Sequence, residues 1–388
     1  MTKPLAGIRI LEQGTFITGP CCAMMLADIG ADVIKVESPE TGDPYRNFRG
    51  GLYSAHFQAY NRGKRSLTLN LKEAADGAVF RDLIGQADVY IQNFRPGAAA
   101  RMGADFSTLS GINPKLVYCS ISGFGQDGPY AHRPSYDSVT QALSGFLGVA
   151  TDPNNPRLLG PAMADAMTGI YSALGIMAAL VERGRTGEGK LIEISMLEAM
   201  MHFAVEPFTG YFALGDIPTA LDRPKLAQAF ILTCKDGRHM GVHLSSMDKF
   251  WDALVGALGE PAKALAVDPR FDVRPRRIDN YEELLIELNK ITRTKTRPEW
   301  LQRFDSFDLP FAPLNNIEEA ANDPQARHLG MIVPVEGRIE GAEQALRAPF
   351  TFDGERPTSS VAAPLVGQHD EEIRAALGKA AGVWPERT

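Results

Sequence analysis

Short apolar runs alternate with helical patterns over the first half of the chain. The run "GIRILEQG" is typical of a strand, "CCAMMLADIGA" has helical spacing, and "DVIKVES" indicates a second strand, so 7–38 is predicted to form a βαβ unit. The helical pattern "EAADGAVFRDLIGQA" is then followed by the strands "DVYIQNF" and "KLVYCSIS". Crossover connections of this kind place neighbouring strands in parallel, and the pattern therefore predicts an open α/β sheet.

The pattern changes after the long apolar helix that is predicted from about Asp165 to Arg183. The segment "GRTGEGKLIEISMLEAM" indicates a turn, a strand and a helix start, and the first domain is expected to end near residue 215. From Lys225 onwards, "AQAFILTCKDGRHMGVHL" contains two strand-like runs around an Asp-Gly turn, which predicts a hairpin. Helical patterns follow at "MDKFWDALVGALG", "NYEELLIELNKIT" and "RPEWLQRF", so a smaller α+β domain is predicted over 225–330.

Composition and charge narrow the class of partner. A chain of 388 residues with 44% hydrophobic and 22% charged residues is typical of a folded protein with one large and one smaller domain. The net charge of -7 argues against nucleic acid or an anionic membrane as the main partner and favours small molecules. The four cysteines lack zinc or disulfide spacing, and the first residues lack a signal-type apolar region, so a cytoplasmic protein is expected.

Two motifs of the sequence lack the structural context that their usual ligands require. The segment "GFGQDG" matches a dinucleotide fingerprint, but the prolines that follow it argue against the helix that would face a pyrophosphate. His239 and His243 lie four residues apart on a predicted strand, about 13 Å from each other, which is too far to share a metal ion. A GxSxG nucleophile motif is absent from the sequence.

Basic residues are concentrated in two loops of the α/β domain. They suggest an anionic, phosphate-bearing ligand, because arginine offers bidentate contacts and loops at strand ends often bind ligands. Ordinary solvated faces explain them equally well. The six cations are Arg62, Lys64, Arg65, Lys72, Arg95 and Arg101.

Asp165 is the only charged residue between Arg157 and Glu182. Its first interpretation is a helix N-cap, which contributes about 0.5–2 kcal/mol, and the local pattern favours this interpretation. The second is a nucleophile, because a carboxylate is already ionised at neutral pH and needs no partner base. A helix dipole favours the anion by about 0.3–1 kcal/mol, so it is expected to limit any rise in pKa that burial causes.

The chain as a whole resembles the family III CoA-transferases, the CaiB/BaiF group that includes formyl-CoA transferase and the α-methylacyl-CoA racemases. The segments that carry the resemblance, in the family's order, include "GPCCAMMLADIGADVIKVESPETGDPYR", "NRGKRSLTLNLK", "NFRPGAAARMG", "YDSVTQALSG", "DAMTGIYSALGIMAAL" and "PFAPLNNIEEAANDPQ". The resemblance implies that 1–215 and 331–388 together form one large Rossmann-like, CoA-binding domain. It also implies a homodimer of interlocked chains.

The resemblance assigns roles to individual residues. Asp165 matches the aspartate that attacks the acyl-CoA thioester. Tyr136 is expected in the acyl pocket, and a role as an aromatic packing group explains it equally well. The positions that match the family's CoA-binding segments are Ile17, Thr18, Leu69, Lys72, Asn93, Phe94, Arg95 and Arg101. Formyl-CoA transferase has a glutamine where Ile17 stands, which argues against a formyl-sized pocket.

The function that the resemblance implies is transfer of CoA from an acyl-CoA to a carboxylic acid, through mixed anhydrides and an aspartyl-CoA thioester, with no further cofactor or metal. A racemase is the alternative, but Tyr136 stands where racemases have their basic histidine, and His132 is expected to be a loop residue. A catalytically inactive acyl-CoA-binding protein is a third possibility. Arg46, Arg133 and Arg223 are candidates for binding the second carboxylate of a dicarboxylic acid. A glycine-rich loop of some family members is not evident here.

Overall fold

The computed structural model describes residues 3–152, 154–245, 247–336, 343–379 and 384–385. The chain forms two compact units, of which the first comprises 1–147, 157–209 and 324–388, and the second comprises 148–156 and 210–323. The main boundaries lie a few residues from the predicted 215 and 330. The first unit combines amino-terminal and carboxyl-terminal parts of the chain.

The strands in the described residues are β1 (Arg9–Gln13), β2 (Asp32–Glu37), β3 (Lys64–Thr68), β4 (Val89–Gln92), β5 (Val117–Ser122), β6 (Lys190–Ser195), β7 (Ala229–Thr233), β8 (His239–His243), β9 (Phe311–Pro313), β10 (Ile332–Pro334) and β11 (Gln344–Leu346). The helices are α1 (Thr18–Asp28), α2 (Ala55–Asn61), α3 (Ala74–Ile84), α4 (Ala98–Arg101), α5 (Phe106–Ile112), α6 (Asp137–Leu143), α7 (Phe146–Ala150), α8 (Met163–Thr186), α9 (Met196–Phe203), α10 (Val205–Leu214), α11 (Asp222–Ala227), α12 (Met247–Leu258), α13 (Glu260–Ala266), α14 (Arg274–Asp279), α15 (Tyr281–Thr292), α16 (Arg297–Phe304), α17 (Ile317–Asn322), α18 (Pro324–His328) and α19 (Asp370–Lys379).

The first unit is built on a parallel sheet with the strand order β3-β2-β1-β4-β5-β6. In β1, Ile10 pairs with Val33 on one side and with Val89 on the other, and all three side chains are fully buried. The predicted open α/β sheet is therefore confirmed. The strand order reverses between β1 and β4, and in sheets of this kind ligands bind outside the carboxyl ends of the strands at such a reversal.

Helices cover both faces of this sheet. Alternate strand residues pack against α1 and α8 on one face and against α3, α5 and α19 on the other. Because each face is covered, successive residues of the central strands are buried on both faces rather than only on alternate ones. Helix α1 lies close to α8, and a Cβ on Gly169 would lie only 2.9 Å from the Cβ of Cys21. Glycine is therefore required where these two helices touch.

Helix α8 also has an exposed apolar stripe. By length and composition it is the one helix in the described residues that could cross a membrane, with 24 residues and a mean hydropathy of 1.5. Its inner face packs in the core through residues such as Ala173 and Ile176. On the outer face Ile170, Leu174 and Val181 are 39%, 57% and 65% exposed.

The second unit contains the predicted hairpin. Strands β7 and β8 pair in antiparallel fashion, with Thr233 opposite His239, and β9 adds to the far side of β8. The apolar core of this unit includes Phe230 and Leu254, both nearly fully buried. The α+β prediction for this part of the chain is confirmed.

Candidate active site

Asp165 lies in the first turn of α8 but does not cap it. The helix begins at Met163, and the N-cap residue, Ala162, makes no side-chain capping bond. The free N–H groups of this turn are instead bound by Asp137, whose Oδ1 accepts hydrogen bonds from the backbone N of Ala164 at 2.7 Å and of Asp165 at 3.3 Å. The N-cap interpretation of Asp165 is therefore wrong, because a carboxylate from another helix takes that role.

Asp137 is itself held in place at the start of α6. Its Oδ2 accepts a hydrogen bond of 2.6 Å from Nε2 of Gln141, one turn further along the same helix. Gln141 is 1% exposed. The two carboxylates are thus held in a fixed arrangement, with Asp165 on α8 and Asp137 on α6.

The pKa of Asp165 departs from sequence-based expectation. Burial raises the pKa of this carboxyl from the ordinary 3.8 to about 7, and the negative charge of Asp137 adds to the rise. A shift of about three units corresponds to about 4 kcal/mol, whereas the helix dipole supplies only about 0.3–1 kcal/mol in the opposite direction. The expectation that Asp165 is fully ionised at neutral pH is therefore wrong. About half of it is ionised at pH 7.

A cavity of about 600 Å³ opens beside Asp165 at the carboxyl ends of β1, β4 and β5. This is the point at which the strand order reverses. Its walls come from the loops after β1, β2, β4 and β5, of which the last leads into α6, and from the start of α8. The lining residues that matter here are Phe16, Ile17, Thr18, Tyr45, Asn93, Phe94, Arg95, Arg133, Tyr136, Asp137 and Asp165.

Most of the residues predicted for the site meet at this cavity. Seven of them line it: Ile17, Thr18, Asn93, Phe94, Arg95, Tyr136 and Asp165. Asn93 joins two of the loops, because its Oδ1 accepts from the backbone N of Thr15 at 2.9 Å while its Nδ2 donates to Oγ1 of Thr18 at 2.8 Å. Leu69, Lys72 and Arg101 do not line the cavity. Leu69 is buried in the core beside the sheet, and the other two are exposed.

The predicted basic cluster divides into two groups. Arg62, Lys64 and Arg65 are buried in ion pairs, and their partners are Asp28, Glu12 and Asp32 respectively. The hypothesis that these three cations bind a phosphate-bearing ligand is therefore wrong, because each is already neutralised inside the fold. The exposed cations that remain are Lys72, Arg95 and Arg101, and of these Arg95 lines the cavity.

A buried charge network, which sequence reasoning missed, supports the first loop of the cavity. Lys35 donates to the carbonyl of Gly14 at 2.7 Å and forms ion pairs with Glu12 at 3.2 Å and Asp43 at 3.0 Å. Oδ1 of Asp43 in turn accepts a hydrogen bond of 3.1 Å from the backbone N of Phe16. These bonds hold Phe16 in the left-handed backbone region, at a φ of 59°, which is unfavourable for a bulky side chain.

Aromatic side chains form one wall of the cavity. The ring of Phe16 lies between Tyr45 and Tyr136, with centroid distances of 5.7 and 5.8 Å. Tyr136 is 62% exposed, so its hydroxyl is accessible from the cavity side of the loop. His132 is exposed and does not line the cavity.

The three candidate arginines lie in different environments. Arg46 is fully buried, donates to both oxygens of Glu37 at 2.7 Å, and stacks on Phe57. It is therefore a structural residue and not a substrate ligand. Arg223 lies on α11 in the second unit. Arg133 is exposed, lines the cavity, and stacks on the ring of Tyr130 at 3.8 Å.

Metal and disulfide chemistry have no geometric basis in the described part of the chain. No group of three His, Cys, Asp or Glu side chains there is arranged to hold a metal ion. All four cysteines are free and buried. His239 and His243 instead contact Thr233 and Ser245.

Comparison with known proteins identifies the family. The model of CoA-transferase family III matches residues 5–370. The chain is 34% identical over 391 residues to the succinate–glutarate CoA-transferase of Agrobacterium fabrum, covering 96% of each chain. It is 35% identical over 360 residues to the acetyl-CoA:oxalate CoA-transferase of Acetobacter aceti, covering 91% of this chain and 92% of that one.

A solved structure agrees with these similarities. A CaiB/BaiF family protein from Brucella suis has a TM-score of 0.86 and 33% identity, and the match covers 97% of this chain and all of that one. The chain therefore belongs to CoA-transferase family III, and it is a CoA-transferase.

Proposed function

We propose that this protein moves CoA from an acyl-CoA donor to a carboxylic acid acceptor, with Asp165 as the covalent nucleophile. The observation that supports this most directly is the position of Asp165 on the cavity wall, beside the loops that follow β1 and β4. The family resemblance assigns CoA to those same loops.

The reaction proceeds in four balanced steps. The Asp165 carboxylate attacks the thioester carbonyl of the donor, the C–S bond breaks, and an acyl-aspartyl anhydride and CoA thiolate form. The thiolate attacks the aspartyl carbonyl, which releases the donor acid and leaves an aspartyl-CoA thioester. The acceptor carboxylate attacks that thioester, releasing CoA thiolate and forming a second anhydride. The thiolate then attacks the acceptor carbonyl, giving the new acyl-CoA and restoring the Asp165 carboxylate.

Each covalent intermediate is sensitive to hydrolysis, so the site must exclude water while the acyl group is bound. The aromatic wall of Phe16, Tyr45 and Tyr136 supplies apolar surface for this purpose. CoA offers phosphates far from the reacting carbon, and binding energy from that remote part holds the thioester against Asp165. Arg95 is the cation of the loop after β4 that lines the cavity, and we assign it to CoA.

Dicarboxylic acids are the acceptor class that we favour. The relatives from Agrobacterium fabrum and Acetobacter aceti are named for succinate, glutarate and oxalate, which are all dicarboxylates. Arg133 lies at the same cavity as Asp165, and an arginine binds a carboxylate with two parallel hydrogen bonds. In this proposal Arg133 binds the distal carboxylate of the acceptor while its other carboxylate reacts.

We also propose that the protein acts as a homodimer of interlocked chains. The exposed stripe of Ile170, Leu174 and Val181 on α8 is apolar surface that a monomer would leave in water. Burial against a second copy removes this surface from solvent. Light scattering is expected to give twice the chain mass for the wild type. Leu174→Glu is expected to weaken the dimer. The control is Val267→Glu, because Val267 is an exposed residue of the second unit, outside the α8 stripe.

The setting that fits these features is the cytoplasm, where reduced cysteines are ordinary, and four free cysteines accord with it. The proposed reaction needs acyl-CoA and a small acid, and it requires no metal, further cofactor, nucleic acid or membrane.

A transfer screen tests the proposed function. Succinyl-CoA and acetyl-CoA are each incubated with a panel of monocarboxylates and dicarboxylates, and the acyl-CoA products are separated by chromatography. New acyl-CoA that depends on the acceptor, and that is lost in Asp165→Ala, supports the proposal. Exchange of the α-proton with deuterated solvent without any acceptor would indicate a racemase instead, and CoA binding without either reaction would indicate an inactive binding protein.

Two matched substitutions separate acceptor binding from CoA binding. Arg133→Gln is expected to raise KM for the dicarboxylate at least tenfold while leaving KM for acyl-CoA within twofold, as loss of a charged hydrogen bond of about 1.5–3 kcal/mol requires. Arg95→Gln is expected to raise KM for acyl-CoA at least tenfold while leaving KM for the dicarboxylate within twofold. Equal effects of Arg133→Gln on monocarboxylate and dicarboxylate acceptors would remove Arg133 from acceptor recognition.

A further inference from the structure

We infer that Asp137 is a positioning residue that holds Asp165 at the cavity and, through its negative charge, favours the conversion of the Asp165 carboxylate into a neutral acyl-aspartyl group. This inference rests on the function proposed above. It concerns a residue that none of the sequence motifs assigned to the chemistry.

The positioning part follows from the hydrogen bonds at the start of α8. The backbone N atoms of Ala164 and Asp165 both donate to Oδ1 of Asp137, at 2.7 and 3.3 Å. A helix start without a cap leaves such N–H groups unsatisfied, and the loss of a cap costs about 0.5–2 kcal/mol. Without Asp137 the first turn of α8 would therefore fray at the turn that carries the nucleophile.

The electrostatic part follows from the groups that face Asp165. Apart from Asp137, the described titratable side chains whose pKa the charge of Asp165 affects are Cys21 from α1, Tyr45 from the loop after β2, and Tyr60 from α2. Burial raises the pKa of each of them, to about 11 for Cys21 and about 12 for Tyr60, so all three are neutral at physiological pH. Arg95 and Arg133 line the same cavity, but among the described residues Asp137 is the charged group that shifts the pKa of Asp165.

The charge of Asp137 has a direct consequence for the first chemical step. Repulsion between the two carboxylates raises the free energy of ionised Asp165. When Asp165 attacks the thioester, its negative charge is transferred to the CoA thiolate and the repulsion disappears. Asp137 therefore favours the acyl-aspartyl state over the free carboxylate, and by the same interaction it raises the pH at which Asp165 ionises.

The substitution Asp137→Asn isolates the charge from the hydrogen bonds. The amide oxygen of the new side chain can still accept from the backbone N of Ala164 and Asp165. Its amide nitrogen can donate to Oε1 of Gln141 once the Gln141 amide turns over, because this buried oxygen has no hydrogen-bond partner among the described residues. Asp137→Ala removes both the charge and the cap, and Asp137→Glu restores the charge at a longer reach.

The experiment measures single-turnover formation of the Asp165 adduct from acyl-CoA between pH 5 and pH 9. In Asp137→Asn the acidic limb of the rate is expected to move to lower pH by roughly one unit or more, and the plateau at high pH to fall about tenfold. Asp137→Glu is expected to restore part of the plateau rate and to move the acidic limb part of the way back toward its wild-type pH. The control is Asp105→Asn, because Asp105 also caps a helix, α5, but does not line the cavity.

The outcomes distinguish this inference from the proposed function. If the wild-type protein forms no adduct at Asp165, the proposed function fails whatever Asp137 does. If the wild-type adduct forms but Asp137→Asn lowers the rate equally at every pH, Asp137 acts through structure alone and the electrostatic inference is overturned. An unchanged profile in both Asp137→Asn and Asp137→Ala would overturn the positioning role as well.

Discussion

Ionised Asp165 should destabilise the folded protein, and removing its charge should reverse this effect. Asp165 has a pKa of about 7 in the folded protein, against 3.8 for an ordinary aspartate. Because the folded state holds the proton more tightly than the unfolded state, the stability of the protein falls as the pH rises from about 4 to about 7 and is constant above that. The loss amounts to about 4 kcal/mol at pH 8 and to about 2 kcal/mol at pH 5.

Asp165→Asn removes the titrating group while keeping its size. The variant is expected to be more stable than the wild type by about 4 kcal/mol at pH 8, and by only about 2 kcal/mol at pH 5. Hydrogen exchange of the buried amides of β4 and β5 measures the difference, because comparison at one pH cancels the intrinsic exchange rates. The control is Asp105→Asn, since hydrogen bonds from Thr108 lower the pKa of Asp105 and its loss should act in the opposite direction. A variant no more stable than the wild type at pH 8, or equally stabilised at both pH values, would refute the reasoning.

The remaining predictions concern activity, stability and partner residues. The rate of Asp165 acylation is expected to rise about tenfold from pH 6 to pH 8, because the ionised fraction rises from about 9% to about 91% for a pKa of about 7. A pH-independent rate in stopped-flow assays would contradict this. Glu12→Gln is expected to lower the free energy of unfolding by about 3–5 kcal/mol in urea titrations, because it leaves Lys35 and Lys64 buried without their shared carboxylate. A loss below about 1 kcal/mol would mean that this charge network does not stabilise the fold. Phe16→Gly is expected to relieve the left-handed backbone strain but to raise KM for acyl-CoA, because it removes the ring between Tyr45 and Tyr136. An unchanged KM would show that this ring does not contact the substrate.

The sheet could be predicted because each of its strands is encoded locally. Short runs such as "DVIKVES" are rich in β-branched apolar residues, and the helix between two such runs has its own period, so the βαβ order follows from the sequence alone. The same holds for the hairpin of β7 and β8, where an Asp-Gly turn separates two strands. In both cases, the signal lies within a few residues of the element that it predicts.

The errors arose where the deciding partner lies far along the chain. The sequence suggests a surface cluster of three cations, namely Arg62, Lys64 and Arg65. These cations are instead buried in ion pairs with carboxylates from α1, β1 and β2. The cap of α8 comes from Asp137, which lies 28 residues before Asp165. No local pattern encodes such pairings, which exist only once the sheet and its helices have packed.

Only the family resemblance makes Asp165 a candidate nucleophile, since the local sequence pattern favours a helix cap. What the structure adds is the environment that sets its chemistry. Burial and the neighbouring carboxylate raise the pKa of Asp165 into the neutral range, against the small effect of the helix dipole. Asp165 is thus neither the cap of α8 nor a fully ionised side chain at neutral pH.

Trapping the covalent intermediate tests the central claim most directly. The protein is incubated with succinyl-CoA or acetyl-CoA, treated with hydroxylamine or borohydride, digested, and analysed by mass spectrometry. The account predicts modification of the peptide that contains Asp165, dependent on acyl-CoA and absent from Asp165→Asn. Full transfer activity in Asp165→Ala, or a modification on any other residue that kinetics show to be competent, would contradict it.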